Sequence, residues 1–334
     1  MLALAAAPLG YHVHVYAPED ELVAAEVARD TTRAAYDDCG ALAAFAAACD
    51  VITYEFENVP AATVAFLERL RPVRPGHAAL DIGQDRLAEK RFVASHGGRT
   101  APHCAVDSAA DLAAGLERFG CPAILKTRRF GYDGKGQARI GDPSAAEAAR
   151  AALGGEGLVL EGVVPFAAEF SILVARGIGW HVLYPPCRNT HSGGVLVESL
   201  VPAGLSGRDV EVASALALGI AEALDYVGVL ACEFFAAADG PVFNEMAPRV
   251  HNSGHWTIEG ARTSQFEQHV RAICGLPPGS VALTAPRILM RNLLGDDADG
   301  WAAILTDPDH HLHLYGKSAA APGRKMGHVT ILGD

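Results

Sequence analysis

Residues 124–137 read ILKTRRFGYDGKGQ. An apolar run ends on Lys126 and passes into a loop that carries Gly131, Gly134 and Gly136 together with Asp133 and Lys135. Glycines let successive backbone amides bend toward one point, and two lysines supply the positive charge that a polyphosphate requires. The same letters describe a β-hairpin, because Asp133-Gly134 is a favoured two-residue turn. The two readings are compatible, since a glycine-rich hairpin can itself be the flap that closes over a nucleotide.

Working outward, the chain has 334 residues, more than one domain usually holds, so two or three domains are expected. Hydrophobic residues make up 50% and charged residues 20%, which supports a large core and argues against disorder. A formal net charge of -12, with no long basic run, argues against a nucleic-acid partner and points to small molecules. Seven cysteines, none in C-x-x-C spacing, read as reduced thiols. The opening MLALAAAPLG lacks basic residues and is too short for a membrane span, so no signal peptide or membrane anchor is expected and a cytoplasmic location follows.

Alanine-rich and β-branched stretches alternate at the start. They predict helices over 2–8, 40–48 and 61–70 and strands over 11–16 and 50–54, a doubly wound α/β domain. Such a unit normally begins on a strand, so its first strand is expected to be lacking. From about residue 75 the pattern becomes α+β, with helices over 85–94, 109–119, 209–224 and 264–274 and strands over 157–161, 169–175 and 195–200. Ser264 and Glu267 have capping-box spacing, a structural role. Short strands over 288–293, 311–315 and 326–332 predict a small β-rich end. The expected division is 1–75, then 76–285 with a flap subdomain at about 120–190, then 286–334.

The stretch VLACEFFAAADGPVFNEMAP, residues 229–248, reads as two apolar strands around an Asp239-Gly240 turn, with Glu233 and Glu245 nearly equidistant from it. Opposed side chains on a hairpin have Cβ atoms about 5 Å apart, where two carboxylates repel unless one is protonated or a cation lies between them. Carboxylate and amide oxygens suit Mg2+, so Glu233, Glu245 and Asn244 read as a nucleotide-metal site; a solvated hairpin face is the alternative. Next comes APRVHNSGHW. Arg249 could hold a planar oxyanion through its guanidinium fork, with His251 and Asn252 orienting a small substrate, or the loop could satisfy itself. His255 and Trp256 read as structural. Lys317, Arg324 and Lys325 surround a Pro322-Gly323 turn and suit a monophosphate, although such a cluster can equally be a solvated face. The fourteen histidines show no zinc-ligand spacing.

Taken in order, RRFGYDGKGQ, the glutamate hairpin, NEMAPRVHNSGHWTIEG followed by TSQFEQH, and PGRKMGH resemble the N5-carboxyaminoimidazole ribonucleotide synthase family of ATP-grasp enzymes in purine biosynthesis. The resemblance covers nearly all the chain. It implies an ATP-grasp architecture behind a doubly wound domain, with ATP and Mg2+ as cofactors. It further implies bicarbonate and 5-aminoimidazole ribonucleotide as partners, and a homodimer. By position, Arg86 of QDRLAEK and Lys126 would contact the ATP phosphates. Gly131, Tyr132, Asp133, Gly134, Lys135, Gly136 and Gln137 would form the flap, with Lys135 among the catalytic groups. Glu161, Gly162, Val163 and Val164 would form the adenine hinge, Glu169 would accept the ribose hydroxyls, and His191 would touch the nucleotide beside Asn244 and Glu245. Glu233 and Glu245 would hold magnesium. Arg249, His251 and Asn252 would surround bicarbonate and the ribonucleotide, Glu55 of TYEFENVP would meet that substrate from the first domain, and Lys317 and Arg324 would clamp its phosphate.

The implied reaction moves the γ-phosphoryl of ATP to bicarbonate, giving carboxyphosphate, whose carboxyl group the exocyclic amine captures directly or as released CO2. Family members usually begin with a strand and a glycine-rich loop that here would precede Met1, and they extend further past PGRKMGHVTIL. Ala321 stands where an arginine is frequent, which weakens the expected phosphate site. Two other readings stay open. One is another ATP-grasp ligase, such as formate-dependent glycinamide ribonucleotide transformylase or biotin carboxylase, which should lack APRVHNSGHW with PGRKMGH. The other is a nucleotide-binding module inactive through its short first domain.

Overall fold

The computed structural model describes residues 1–129, 131 and 135–333. Strands Ala168–Gly177 and Gly228–Ala237 carry unbroken apolar runs, ILVA and GVLAC, and such runs bury both faces of a sheet. Among the described residues, nine strands form one antiparallel sheet. Its order is Gly240–Ala247, Gly228–Ala237, Ala168–Gly177, Cys187–Ser192, Val195–Val201, Arg287–Leu294, Lys325–Gly333 and His310–Leu314, with Trp180–Leu183 paired to Ala168–Gly177. The strand period of two sorts its residues onto two cores. Ile172 and Val174 pack with Phe234, Phe243 and the helix Gly207–Ala223, while Leu173 and Ala175 pack with Trp256, Phe266 and Met290.

The C-terminal strands therefore do not make a sheet of their own. Leu200 pairs with Leu289, so the last segment extends the central sheet. A second, four-stranded antiparallel sheet runs His103–Val106, Leu158–Gly162, Ala123–Thr127, Gln137–Ile140, covered by helices Ala109–Phe119 and Ala146–Ala152. This corrects the flap range of 120–190: the small sheet occupies 103–162, and the strands from Ala168 onward belong to the large one. Lys126 pairs with Gln137, so the strands on either side of the glycine loop form a hairpin. At its base Gly136 has φ +69° and a Cβ there would lie 2.6 Å from Thr127 Oγ1, so only glycine fits.

The first domain has a parallel pair, His14–Ala17 with Asp30–Arg33, and helices Cys39–Ala47 and Ala61–Glu68 that bury Leu42, Phe45, Val64 and Leu67 around Ile52. The strand expected over 50–54 is reduced to a single parallel bridge between Ile52 and Val73. Ser264 caps the helix Gln265–Ile273 by accepting from the Glu267 amide, but the Glu267 side chain pairs with Arg271 at 2.8 Å instead of closing a capping box. Among the described residues no helix is long and apolar enough to cross a membrane.

His269 joins the first domain to the large sheet. Its Nδ1 accepts from the Val229 amide at 3.1 Å, which leaves Nε2 to donate to Thr53 Oγ1 at 2.8 Å. Burial lowers its pKa to about 4. The folded value lies below the ordinary one near 6.5, so stability from this group is whole above that pH and is lost as the pH falls toward 4. The slope is about 1.4 kcal/mol per pH unit. His269→Gln should flatten the pH dependence of stability by one proton, as measured by urea denaturation between pH 7 and 5.

Candidate active site

The hairpin register decides where the two glutamates meet. Ala237 pairs with Gly240, so the two-residue loop is Ala238 and Asp239, one residue earlier than the sequence suggested. From that loop a regular ladder would set Glu233 against Asn244. The register shifts between Glu233 and Phe234, Asn244 becomes the extra residue of a bulge, and Glu233 faces Glu245. Glu233 is 8% exposed and Glu245 more open. Burial, reinforced by the Glu245 charge, raises the Glu233 pKa. Burial also pushes Glu245 upward, but the charges of Arg86 and Lys126 outweigh it and hold that carboxyl low. Ser171 Oγ reaches Glu233 at 3.4 Å, and His251 Nδ1 lies 3.7 Å from it. Among the described residues no three His, Cys, Asp or Glu side chains converge as a ready metal cage.

Cations line the other side. Asp85 accepts from the Leu87 and Ala88 amides at 3.0 Å and starts the helix Arg86–Ser95. Arg86 then donates to Glu245 at 2.9 Å and to the Gly131 carbonyl at 3.2 Å, tying the flap base to the hairpin. Lys126 and Lys90 share Glu161, at 2.8 and 3.1 Å. Burial alone would raise the Glu161 pKa; the two lysine charges win and bring it to about 2. The Glu161 side chain is thus a buried counterion, while Gly162 ends its strand and Val163 and Val164 follow at the surface or partly exposed. Glu169 lies 2.7 Å from His191, whose protonation burial opposes and this carboxylate favours, with a net upward shift. Gly131, Lys135, Gly136 and Gln137 stand at the hairpin tip; Tyr132, Asp133 and Gly134 lie outside the described residues.

The loop after the hairpin is closely satisfied. Arg249 donates from Nε and Nη2 to both oxygens of Glu57, the latter at 2.6 Å, and from Nη1 to the Val250 carbonyl at 2.8 Å. The Gln265 amide pairs with both main-chain groups of His251. Asn252 and Asn292 exchange reciprocal amide bonds at 3.0 and 2.6 Å. His255 and Trp256 are structural: His255 meets the Tyr315 hydroxyl at 3.0 Å and Trp256 is fully buried. Glu55 is open to solvent within the fields of Arg249 and Lys317. Lys317 donates to the Lys325 carbonyl at 2.7 Å and sits 5.5 Å over the Tyr315 ring. Arg324 is engaged by Glu21 of the first domain at 3.0 Å.

Sequence reasoning passed over Glu57, Glu89, Lys90 and Asn292. Glu89 and Lys90 carried a usable signal, because they stand three and four positions after Arg86 and so share its helix face. Glu57 and Asn292 carried none, being distant in sequence from the groups they hold.

These groups lie on and between the two sheets, and proteins of known structure share the fold that places them there. The ribonucleotide synthetase preATP-grasp domain matches residues 1–84, the ATP-grasp domain 91–266, and the phosphoribosylaminoimidazole carboxylase C-terminal domain 289–334. The N5-carboxyaminoimidazole ribonucleotide synthase of Brucella melitensis is 48% identical over 334 residues, covering 99% of this chain and 92% of that protein. The crystal structure of the Thermus thermophilus synthetase superposes with TM-score 0.93 at 48% identity, over 100% of this chain and 91% of that one. The Aspergillus clavatus synthase, solved in complex with ADP and 5-aminoimidazole ribonucleotide, superposes with TM-score 0.93 at 29% identity, over 100% and 90%. The chain belongs to the N5-carboxyaminoimidazole ribonucleotide synthase family of ATP-grasp ligases.

Proposed function

We propose that this chain uses ATP and bicarbonate to carboxylate 5-aminoimidazole ribonucleotide on its exocyclic nitrogen, in a site held by Glu233, Glu245, Arg86 and Lys126. The observation that carries the reading is the bulge that sets two carboxylates face to face beneath a lysine-bearing glycine hairpin. That donor set fits Mg2+, which takes few protein ligands and completes its shell with phosphate oxygens and water. When bound, the ion supplies charge neutralisation to the triphosphate.

Bicarbonate is a poor electrophile. Transfer of the γ-phosphoryl group to one of its oxygens releases ADP and gives the carboxyl carbon a leaving group. The substrate amine then forms the new C–N bond, inorganic phosphate departs with the electron pair of the broken C–O bond, and the nitrogen gives up a proton. Phosphoryl transfer is chiefly positioning and charge compensation. Lys126 provides charge from below, and Glu161 fixes where that ammonium sits. Lys135 and the rest of the hairpin tip cover the phosphates and exclude water from the intermediate. Glu57 sets the plane of the Arg249 guanidinium beside His251, whose pKa burial and the Arg249 charge lower well below the ordinary value, leaving a neutral imidazole next to Glu233. Glu55, Lys317 and Arg324 are read as the ribonucleotide end of the site. Glu169 with His191 is read as the ribose contact, and the main chain from Glu161 to Val164 as the adenine contact. The three units 1–75, 76–285 and 286–334, a homodimer and a cytoplasmic location complete the reading; the domain matches and the free thiols of all seven cysteines support it.

ADP release should require bicarbonate and rise with 5-aminoimidazole ribonucleotide in a coupled assay; stimulation by formate instead, or by neither ligand, overturns the assignment. Glu245→Ala should cut turnover by about a hundredfold or more, the order expected on losing a preorganised electrostatic partner, and near-wild-type kcat refutes its role. Glu161→Gln removes the countercharge of two buried lysines and should cost about 3 to 5 kcal/mol of stability, read by urea denaturation at pH 7.

A further inference from the structure

We propose that Glu89 and Lys90 are positioning residues that clamp the main chain of the bulge and so aim Asn244 and Glu245 at the metal nucleotide; this rests on the magnesium reading above. The strand Gly240–Ala247 is the outermost of the large sheet, and its inner side is taken by Gly228–Ala237. A bulge interrupts the ladder and leaves main-chain groups to find partners elsewhere. The helix Arg86–Ser95 supplies them. Lys90 Nζ donates to the Asn244 carbonyl at 3.0 Å, and Glu89 Oε1 accepts from the Met246 amide at 2.6 Å. Arg86, on the same helix face, holds the side chain of Glu245 between them. Three consecutive bulge residues are thus gripped by one turn of helix.

Burial shows how tight the grip is. Lys90 is 1% exposed and Glu89 2%. Ionisable side chains are rarely placed so deep unless they find hydrogen-bond partners. Lys90 also reaches Glu161 at 3.1 Å, which links the bulge to the counterion of Lys126. Lys126 and the bulge carboxylate are therefore indexed to one helix.

Divalent-ion binding separates aiming from simple core filling. Mn2+ serves as the probe, titrated by electron paramagnetic resonance against the protein saturated with ADP, alongside calorimetric ADP binding without metal. Glu89→Leu removes the acceptor for the Met246 amide and Lys90→Met removes the donor to Asn244; each should weaken Mn2+ by about tenfold, the order seen when an outer-shell partner of a metal ligand is lost. For Glu89→Leu metal-free ADP affinity should change by less than about twofold, because the pairing of Lys126 with Glu161 stays. Glu89→Gln keeps an acceptor oxygen and should restore wild-type Mn2+ binding. Folded Leu and Met variants that bind Mn2+ like wild type overturn the clamp. Should Lys90→Met not fold, the Glu89→Leu and Glu89→Gln comparison decides it alone. Wild-type protein that takes no Mn2+ beside ADP sinks the metal reading and the clamp together, whereas failure of the clamp alone leaves Glu245→Ala still weakening Mn2+.

Discussion

Two carboxylates set across one register pair cannot both keep their charge cheaply. At about 5 Å and an effective dielectric of about 20 their repulsion is about 3 kcal/mol, more than an ordinary hydrogen bond returns. The molecule meets this cost asymmetrically. Arg86 and Lys126 hold Glu245 ionised, while Glu233, deeper and faced by neutral Ser171 and His251, is driven toward its protonated form. Much of the surrounding polar structure serves that asymmetry: the bulge that creates the pairing, the helix that grips the bulge, and Glu161, which keeps two lysines from repelling one another.

The second organising feature is the continuity of the large sheet. The loop carrying Arg249, His251 and Asn252 is irregular, and irregular buried backbone needs partners. It obtains them from strands far along the chain. Asn292 locks Asn252, and the Tyr315 hydroxyl joins His255 to His328 Nδ1 at 3.0 and 2.8 Å. His328 in turn stacks on His313, ring centroids 4.6 Å apart, and His313 Nε2 meets Glu259 at 2.6 Å. Burial lowers the His328 pKa to about 3. A connected polar network of this kind specifies one loop geometry more sharply than apolar packing would, with His328 Nε2 and Glu259 Oε2 its buried atoms left without a partner.

Local chemistry was legible in the sequence where the pattern was short. The strands flanking the glycine loop do pair, but Lys126 stands against Gln137, a register that a two-residue Asp133-Gly134 turn would not give; the glutamate pair read as opposed because six and five residues separate them from the expected turn. The bulge itself was not legible: the sequence placed the turn one residue late, and that error hid the need for an extra residue at Asn244. Glu89 and Lys90 looked like an ordinary charged helix face, although their spacing of three and four from Arg86 already placed them on the side that meets the sheet edge. Arg249 and Arg324 read as open to substrate, yet their carboxylate partners, Glu57 and Glu21, lie some hundreds of positions upstream. The flap range failed for a related reason, because strands 103–106 and 158–162 become neighbours only through tertiary pairing.

The antiparallel junction between Val195–Val201 and Arg287–Leu294 also bears on how the protein is made. Residues that brace the loop of Asn252 and His255, namely Asn292, Tyr315 and His328, leave the ribosome after everything they support. Contacts of such long sequence separation form slowly. During synthesis the nascent chain must therefore wait with one border of its main sheet unzipped, a template for wrong partners until the last strands arrive. The residues that complete the surroundings of Arg249, His251 and Asn252 are thus also the ones whose arrival closes that border.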